Sequence, residues 1–107
     1  MPATETVAFR MRLLAGHADE YRRRHDAIWP ELAALLREAG VVDYRIFLDE
    51  ETQALFAVLT RRTDHALGPL RDHPVMRRWW TMMRDIMETH EDHSPVQVHL
   101  REMFTLT

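Results

Sequence analysis

The chain has 107 residues, a formal net charge of −3 at pH 7 and no cysteine. This length predicts a single domain over residues 1–107, with an ordered core over about 6–106. The mild negative charge gives no reason to expect nucleic acid as a partner, and the lack of cysteine excludes disulfide bonds and thiol catalysis. The first residues do not resemble a signal peptide and no apolar run is long enough to span a membrane, so we expect a cytoplasmic protein.

The first half of the chain predicts one strand followed by one interrupted helix. Apolar and polar residues alternate over residues 6–14, as in a strand with one buried face. A helical pattern then runs from about Ala18 to Ala39. Pro30 removes a backbone donor within it and therefore predicts a kink or restart, and Gly40 predicts its end.

The second half predicts three more strands and a second long helix. Residues 43–49 alternate, residues 54–60 are apolar throughout except for Thr60, and the short polar turn between them indicates a β-hairpin. A short helical piece is predicted near Thr63–Leu67, and a longer helix begins at Pro74 and keeps its apolar spacing as far as Met87. The last strand is predicted over residues 96–104.

The order β-α-β-β-α-β predicts an α+β fold of the ferredoxin-like type, a four-stranded antiparallel sheet with both helices on one face. The other face of such a sheet needs a cover, and the third strand is apolar on both of its faces. A second copy of the chain is the simplest cover. The expected assembly is therefore a homodimer with the two sheets face to face, a dimeric α/β barrel.

Tyr21 and His25 lie one turn apart on the apolar face of the first predicted helix, close to the break at Pro30. In a structural interpretation, His25 sits at the edge of the core and donates to a backbone carbonyl. In a catalytic interpretation it is a general acid/base, because imidazole exchanges protons near neutral pH. Tyr21 would then orient a substrate hydroxyl or the ring itself. The residue pattern leaves both interpretations open.

Two adjacent tryptophans, Trp79 and Trp80, stand in the second long helix. Neighbouring helical residues point about 100° apart, so one indole can fill the core while the other lines a cavity between helix and sheet. Indole faces also suit the C–H face of a sugar. Tyr44, at the start of the second strand, is either a plain strand aromatic or a hydroxyl group in the same cavity.

Two further groups of polar residues are interpreted as surface. The three arginines at residues 22–24 are expected to form a solvated face of the first helix. No zinc-type spacing is present, and we expect a solvated cluster, without a metal ion, from the residues near the C-terminus, His90, Asp92, His93 and His99.

Taken together, these motifs resemble the L-rhamnose mutarotase family over about Ala8–Leu106. The matching features are the tyrosine-to-histidine spacing, the tail that follows it, the strand tyrosine, the paired tryptophans and a C-terminal loop. In this chain they are Glu20–His25, Ile28–Leu32, Tyr44 with Ile46 and Leu48, Arg78–Trp80 with Met83, and Asp92 with Ser94–Val96. The chain departs from the family pattern at Ala27, where a proline often stands, at Arg10 and Arg12, and over His65–His73.

The resemblance implies an isomerase that interconverts the anomers of L-rhamnose or a related deoxyhexose, with the dimeric α/β barrel fold. By position it implies that His25 is the proton donor, that Tyr21 and Tyr44 bind the substrate, and that Trp79 and Trp80 bind it as a pair. Opening and closing a pyranose ring requires a positioned acid/base and no cofactor, metal or covalent intermediate.

Two other classes of protein remain compatible with these residues. A dimeric α/β barrel can be a cofactor-free monooxygenase or a haem-handling protein, which would bind a flat aromatic group in the cavity. It can also be a non-enzymatic sugar-binding module, because fold does not fix function. The combination of Tyr21, His25 and the tryptophan pair favours the mutarotase.

Overall fold

The computed structural model describes residues 3–107, which fold as an α+β domain around a four-stranded antiparallel sheet. The strands lie in the order β2-β3-β1-β4, and every neighbouring pair is antiparallel. No helix within these residues is long and apolar enough to cross a membrane. The elements are β1 (Thr4–Arg12), α1 (Ala18–Asp26), α2 (Pro30–Glu38), β2 (Val41–Asp49), β3 (Ala54–Arg62), a 3-10 helix (Gly68–Asp72), α3 (Pro74–Met83) and β4 (Val98–Leu100).

The first predicted helix is two helices, and the predicted interruption at Pro30 is confirmed. Helix α1 ends at Asp26, and Pro30 is the first residue of α2. In that position a proline is well tolerated, because the first N–H groups of a helix have no intrahelical partner. Gly40 follows α2 with a φ of +119°, a conformation that favours glycine, so the predicted end of the helix is also confirmed.

The helices cover one face of the sheet, here called the helix face. Cross-strand pairing puts Phe9 and Ile46 on either side of Ala57, so alternate residues of β1, β2 and β3 point to the same side. The buried core is formed where these residues meet the helices. Its members are Met11, Leu13, Tyr21, Leu32, Leu55, Ala57, Trp79, Met83, Ile86 and Met87.

None of the helices of residues 3–107 covers the opposite side of the sheet, here called the open face. Phe47 and Arg10 flank Phe56 there in adjacent strands. The Phe47 side chain is 57% exposed and Val98 is 44% exposed. Large apolar side chains in water are a signal of an interaction surface.

The last strand is shorter than predicted. Only Val98–Leu100 pair with β1, opposite Ala8–Arg10, and residues 101–107 have no regular structure and are exposed. The predicted range 96–104 is therefore wrong at both ends. Alternation of apolar residues shows that a segment can be a strand, but a strand also needs a hydrogen-bonding partner, and β1 offers one over only these residues.

Two details of the segment before α3 differ from the prediction. The helical piece expected at Thr63–Leu67 is wrong, and the helical turn is the 3-10 helix Gly68–Asp72. Pro69 starts this turn instead of ending one, because proline fits the first turn of a helix. Helix α3 ends at Met83, so Ile86, predicted as helical, lies in the turn that follows and is 1% exposed.

The packing around Gly40 generates a stability prediction. A Cβ atom at this position would lie 2.9 Å from Cβ and 3.1 Å from Cα of His65, in addition to the unfavourable positive φ. We expect Gly40→Ala to lower the free energy of unfolding by about 2 kcal/mol or more. Gly68 has open space within 4 Å of the added atom, so Gly68→Ala should change stability by less than about 0.5 kcal/mol. Urea unfolding followed by circular dichroism measures both, and equal effects would contradict the interpretation.

Candidate active site

His25 stands in the last turn of α1 and is partly buried. Its Nδ1 atom lies 3.0 Å from the carbonyl oxygen of Tyr21. A carbonyl oxygen can only accept, so Nδ1 carries a hydrogen and donates it. In the neutral ring the lone pair then belongs to Nε2, which is the nitrogen left to exchange a proton. The contact thus fixes both the orientation and the tautomer of the imidazole.

The protonation of His25 is set mainly by its burial. Removal of water disfavours the imidazolium and lowers the pKa of His25 below its ordinary value of 6.5, while the hydrogen bond to the Tyr21 carbonyl opposes this effect. Burial is the larger influence. The neutral ring therefore predominates at pH 7.

The Tyr21 ring stacks on the His25 ring, with centroids 4.3 Å apart and an interplanar angle of 26°. Tyr21 itself is 8% exposed. Burial, together with the nearby Tyr44, raises the pKa of Tyr21 above its ordinary value of 10. The side chain is therefore a neutral phenol at every physiological pH, able both to donate and to accept a hydrogen bond.

Trp79, from α3, meets His25 edge to face, with centroids 5.4 Å apart and an angle of 89°. It makes a second edge-to-face contact with Trp29, at 5.2 Å and 88°. Trp79 is 7% exposed. Two perpendicular contacts of this kind hold the indole in one orientation. Trp80 is only partly buried, as expected if adjacent helical residues point in different directions.

Tyr44 approaches the same region from β2. Its ring lies edge-on to Phe9, at a centroid distance of 6.3 Å and an angle of 81°. The residue as a whole is 40% exposed, but surrounding protein atoms desolvate its hydroxyl and raise the pKa of Tyr44 to about 12. Like Tyr21, it is a neutral hydrogen-bonding group.

All five residues singled out in the sequence line one cavity of about 1320 Å³ between the helices and the helix face of the sheet. The volume exceeds what a single monosaccharide occupies and lies above the range of about 300–1,000 Å³ that is usual for small-molecule pockets. Much of the wall is apolar and includes the thioether side chains of Met11, Met76, Met83 and Met87. The cavity thus combines His25 and two phenols with an apolar wall, and four further histidines also line it: His65, His90, His93 and His99.

The sequence pattern predicts no separate role for Trp29, yet this residue packs directly on Trp79. Its position just before Pro30 was visible in the sequence, and so was its helical spacing from His25. The direction of its side chain was not, because it lies in the break between α1 and α2, where helical periodicity does not apply.

The three arginines of α1 are not equivalent. The side chains of Arg22 and Arg23 are 81% and 68% exposed, as predicted for a solvated face. The prediction is wrong for Arg24, whose side chain is 15% exposed. Arg24 follows Tyr21 by three residues, which places it at the border of the buried face of the helix.

Two of the polar residues near the C-terminus, His93 and Asp92, make hydrogen-bonding contacts with other residues of the chain. His93 Nδ1 lies 2.9 Å from the hydroxyl oxygen of Thr81, and Asp92 accepts a hydrogen bond of 3.0 Å from the backbone N–H of Ser94. Within residues 3–107, no group of three or more histidine, aspartate or glutamate side chains is arranged to hold a metal ion.

Comparison with known proteins connects this arrangement to a family. Residues 6–106 match the family model described as L-rhamnose mutarotase. The chain is 59% identical to the L-rhamnose mutarotase of Brucella anthropi over 100 residues, which are 94% of each chain. It is 60% identical to the L-rhamnose mutarotase of Rhizobium meliloti over 102 residues, covering 95% of this chain and 98% of that one.

Solved structures give the same result. The crystal structure of an L-rhamnose mutarotase from Formosa agariphila superimposes with a TM-score of 0.89 at 42% identity, covering 96% of this chain and 99% of the other. A Mycobacterium tuberculosis protein at 14% identity, with a TM-score of 0.60, shares the fold alone. With a match to the family model over nearly its full length and relatives at this level of identity, the chain belongs to the L-rhamnose mutarotase family.

Proposed function

We propose that this protein is an isomerase that interconverts the α and β anomers of L-rhamnopyranose, within a single domain formed by residues 1–107. The observation that carries the proposal is the placement of His25, held by the Tyr21 carbonyl and packed against Trp79 at a cavity wall. Family membership supports the reaction and the sugar. The monooxygenase-like and non-enzymatic alternatives are not favoured by these relatives.

Anomer interconversion moves one proton between two oxygens of the sugar. The anomeric hydroxyl loses its proton, the O–H electron pair forms the aldehyde double bond, and the C1–O5 bond breaks with its electrons on the ring oxygen. The ring oxygen then takes up a proton. Rotation of the aldehyde and the reverse sequence give the other anomer, with no net change in protons or electrons.

His25 is the group proposed to carry this proton. The neutral ring, with its lone pair on Nε2, accepts the proton of the anomeric hydroxyl. The imidazolium formed then donates it to the ring oxygen, which is bonded to the same carbon atom. One imidazole thus acts first as a base and then as the proton donor, as a general acid/base does.

The other four residues are proposed to bind the sugar. Tyr21 and Tyr44 hold hydroxyl groups through neutral phenols. Trp79 and Trp80 supply an apolar wall for the C–H face of the ring and for the methyl group at C6 of a deoxyhexose. Binding of this kind keeps the reacting oxygens near His25. Holding reacting groups in position in this way supplies a large part of the rate gain in such a reaction.

We also propose that the active protein is a cytoplasmic homodimer with its two sheets face to face, a dimeric α/β barrel. The open face carries exposed apolar side chains, and a second copy is the simplest partner for them. A chain without cysteine does not need an oxidising compartment. Among the large apolar residues of the described range 3–107, the most exposed lie beyond β4: Met103 at 77%, Phe104 at 79% and Leu106 at 85%.

Removal of the imidazole tests the catalytic assignment. We expect His25→Ala to lower kcat for anomer exchange by about 10²- to 10⁴-fold, which is the usual contribution of a general acid/base. NMR saturation transfer between the two anomeric proton signals of L-rhamnose measures the rate. His17, just before α1, makes no side-chain cap bond, so His17→Gln should retain the wild-type rate. A folded His25→Ala protein with unchanged exchange would refute the role of His25.

The pH dependence tests the order of the two proton transfers. Since the neutral form of His25 starts the reaction, kcat should be constant above about pH 6.5 and should fall as the pH drops through the lowered pKa of His25. The unfolded chain binds this proton more tightly than the folded one, so stability falls in the same direction. Saturation transfer across the pH range, with protein-free samples subtracted, gives the profile. A rate that declines above pH 6.5 would mean that the imidazolium starts the reaction.

Disruption of the open face tests the dimer. Phe47→Lys places a charge within the proposed contact, so we expect a monomer in light scattering at micromolar concentration, where the wild type is expected to be a dimer. Ala34 is exposed on α2, away from the sheet, and Ala34→Lys should remain dimeric. A wild-type protein that is monomeric under these conditions contradicts the proposal.

A further inference from the structure

Arg24 uses all three of its guanidinium nitrogens in short contacts. Nε donates to Glu20 Oε2 at 2.6 Å, one turn earlier in α1. Nη1 donates to the backbone carbonyl of Met82 at 2.8 Å and to Asp85 Oδ1 at 2.8 Å, and Nη2 donates to Asp85 Oδ2 at 3.2 Å. The Arg24 side chain therefore binds residues outside α1 as well, about 60 residues later in the sequence.

The groups that Arg24 binds belong to the end of α3. Met82 is the last residue but one of that helix, so its carbonyl is one of those without an intrahelical partner. A cation at this position also interacts favourably with the negative end of the helix dipole. Asp85 follows the helix, and the hydrogen bond from Arg24 lowers the pKa of its carboxyl, so it is ionised at neutral pH.

The two helices joined in this way carry the two halves of the proposed reaction centre. Helix α1 carries Tyr21 and His25, and α3 carries Trp79, which contacts the His25 ring at 5.4 Å. Among residues 3–107, the pair of Arg24 with Asp85 is the ion pair that connects α1 to the chain after α3. Arg24 is also the residue directly before His25.

We propose that Arg24 is a positioning residue for the mutarotase reaction, because its guanidinium ties α1 to the C-terminal end of α3 and so holds the His25 ring against Trp79. The inference rests on the proposed function. Arg24 touches neither cavity wall nor sugar in this role, and it acts through the placement of its neighbour. The role requires a planar group that binds a carbonyl, a carboxylate and Glu20 at once, which a lysine ammonium cannot reproduce.

Two substitutions at residue 24 and one matched control test this. Arg24→Met keeps the aliphatic stem and removes every donor, and Arg24→Lys keeps the charge. We expect kcat for anomer exchange to fall about 10- to 100-fold in Arg24→Met with KM nearly unchanged, since a small misplacement of a reacting group costs this much. The kcat of Arg24→Lys should lie between the kcat of Arg24→Met and that of the wild type. Arg23 also pairs with Glu20 but is exposed and binds nothing beyond α1, so Arg23→Met should retain the wild-type kcat.

A milder variant and a readout independent of activity complete the test. Asp85→Asn changes an exposed side chain, so the protein should fold, and it removes the charged half of the tie. We expect a severalfold loss of kcat, together with loss of the ring-current shift that Trp79 imposes on the His25 ring protons. Wild-type kcat in folded Arg24→Lys and Asp85→Asn, with the His25 proton shifts unchanged, overturns the inference. If the wild-type protein shows no anomer exchange, the proposed function fails, while the His25 shifts still report whether Arg24 positions the ring.

Discussion

The restriction that Pro30 places on the backbone determines the geometry of the candidate site. Because proline cannot continue α1, this helix stops at Asp26 and the chain turns before α2 begins. In an uninterrupted helix, residue 29 would lie one turn beyond residue 25 on the same face. The break instead brings Trp29 edge-on to Trp79, which in turn contacts His25. One residue without an N–H group thus decides how three aromatic rings meet.

The features that could be predicted from the sequence are those set by local chemistry. Period-two and period-3.6 apolar patterns gave the strands and helices, since each element must bury one face. The special backbone demands of Pro30 and Gly40 marked a break and an end. The five proposed site residues line one cavity. Their meeting could be predicted because helical spacing, strand alternation and the family resemblance all place them on the same side of the sheet.

The features that were missed depend on partners distant in the chain. Helical spacing from Tyr21 places Arg24 at the border of the buried face, but its partners Met82 and Asp85 come from a distant part of the chain and cannot be read from that spacing. The predicted last strand extends past Leu100 to residue 104, but pairing requires an available neighbour, and β1 pairs only with Val98–Leu100. The roles of the site residues in the reaction are assigned by kinetic measurements on variants, since the geometry shows which groups can reach a substrate.

The methionine-lined wall of the cavity has a consequence for substrate range. Leucine and isoleucine side chains give much of the cavity wall a fixed outline, whereas the four unbranched thioether side chains change rotamer at low cost and adapt to irregular shapes. A wall of this kind tolerates sugars that differ by a methyl or hydroxymethyl group at one carbon. With Tyr21 and Tyr44 in their proposed roles, discrimination among these sugars falls to the phenol hydroxyls, because a hydrogen bond left unmade in a desolvated site costs more than an imperfect apolar fit. Evolution of a new sugar preference in this scaffold would accordingly proceed through changes around Tyr21 and Tyr44, with the thioethers repacking to follow.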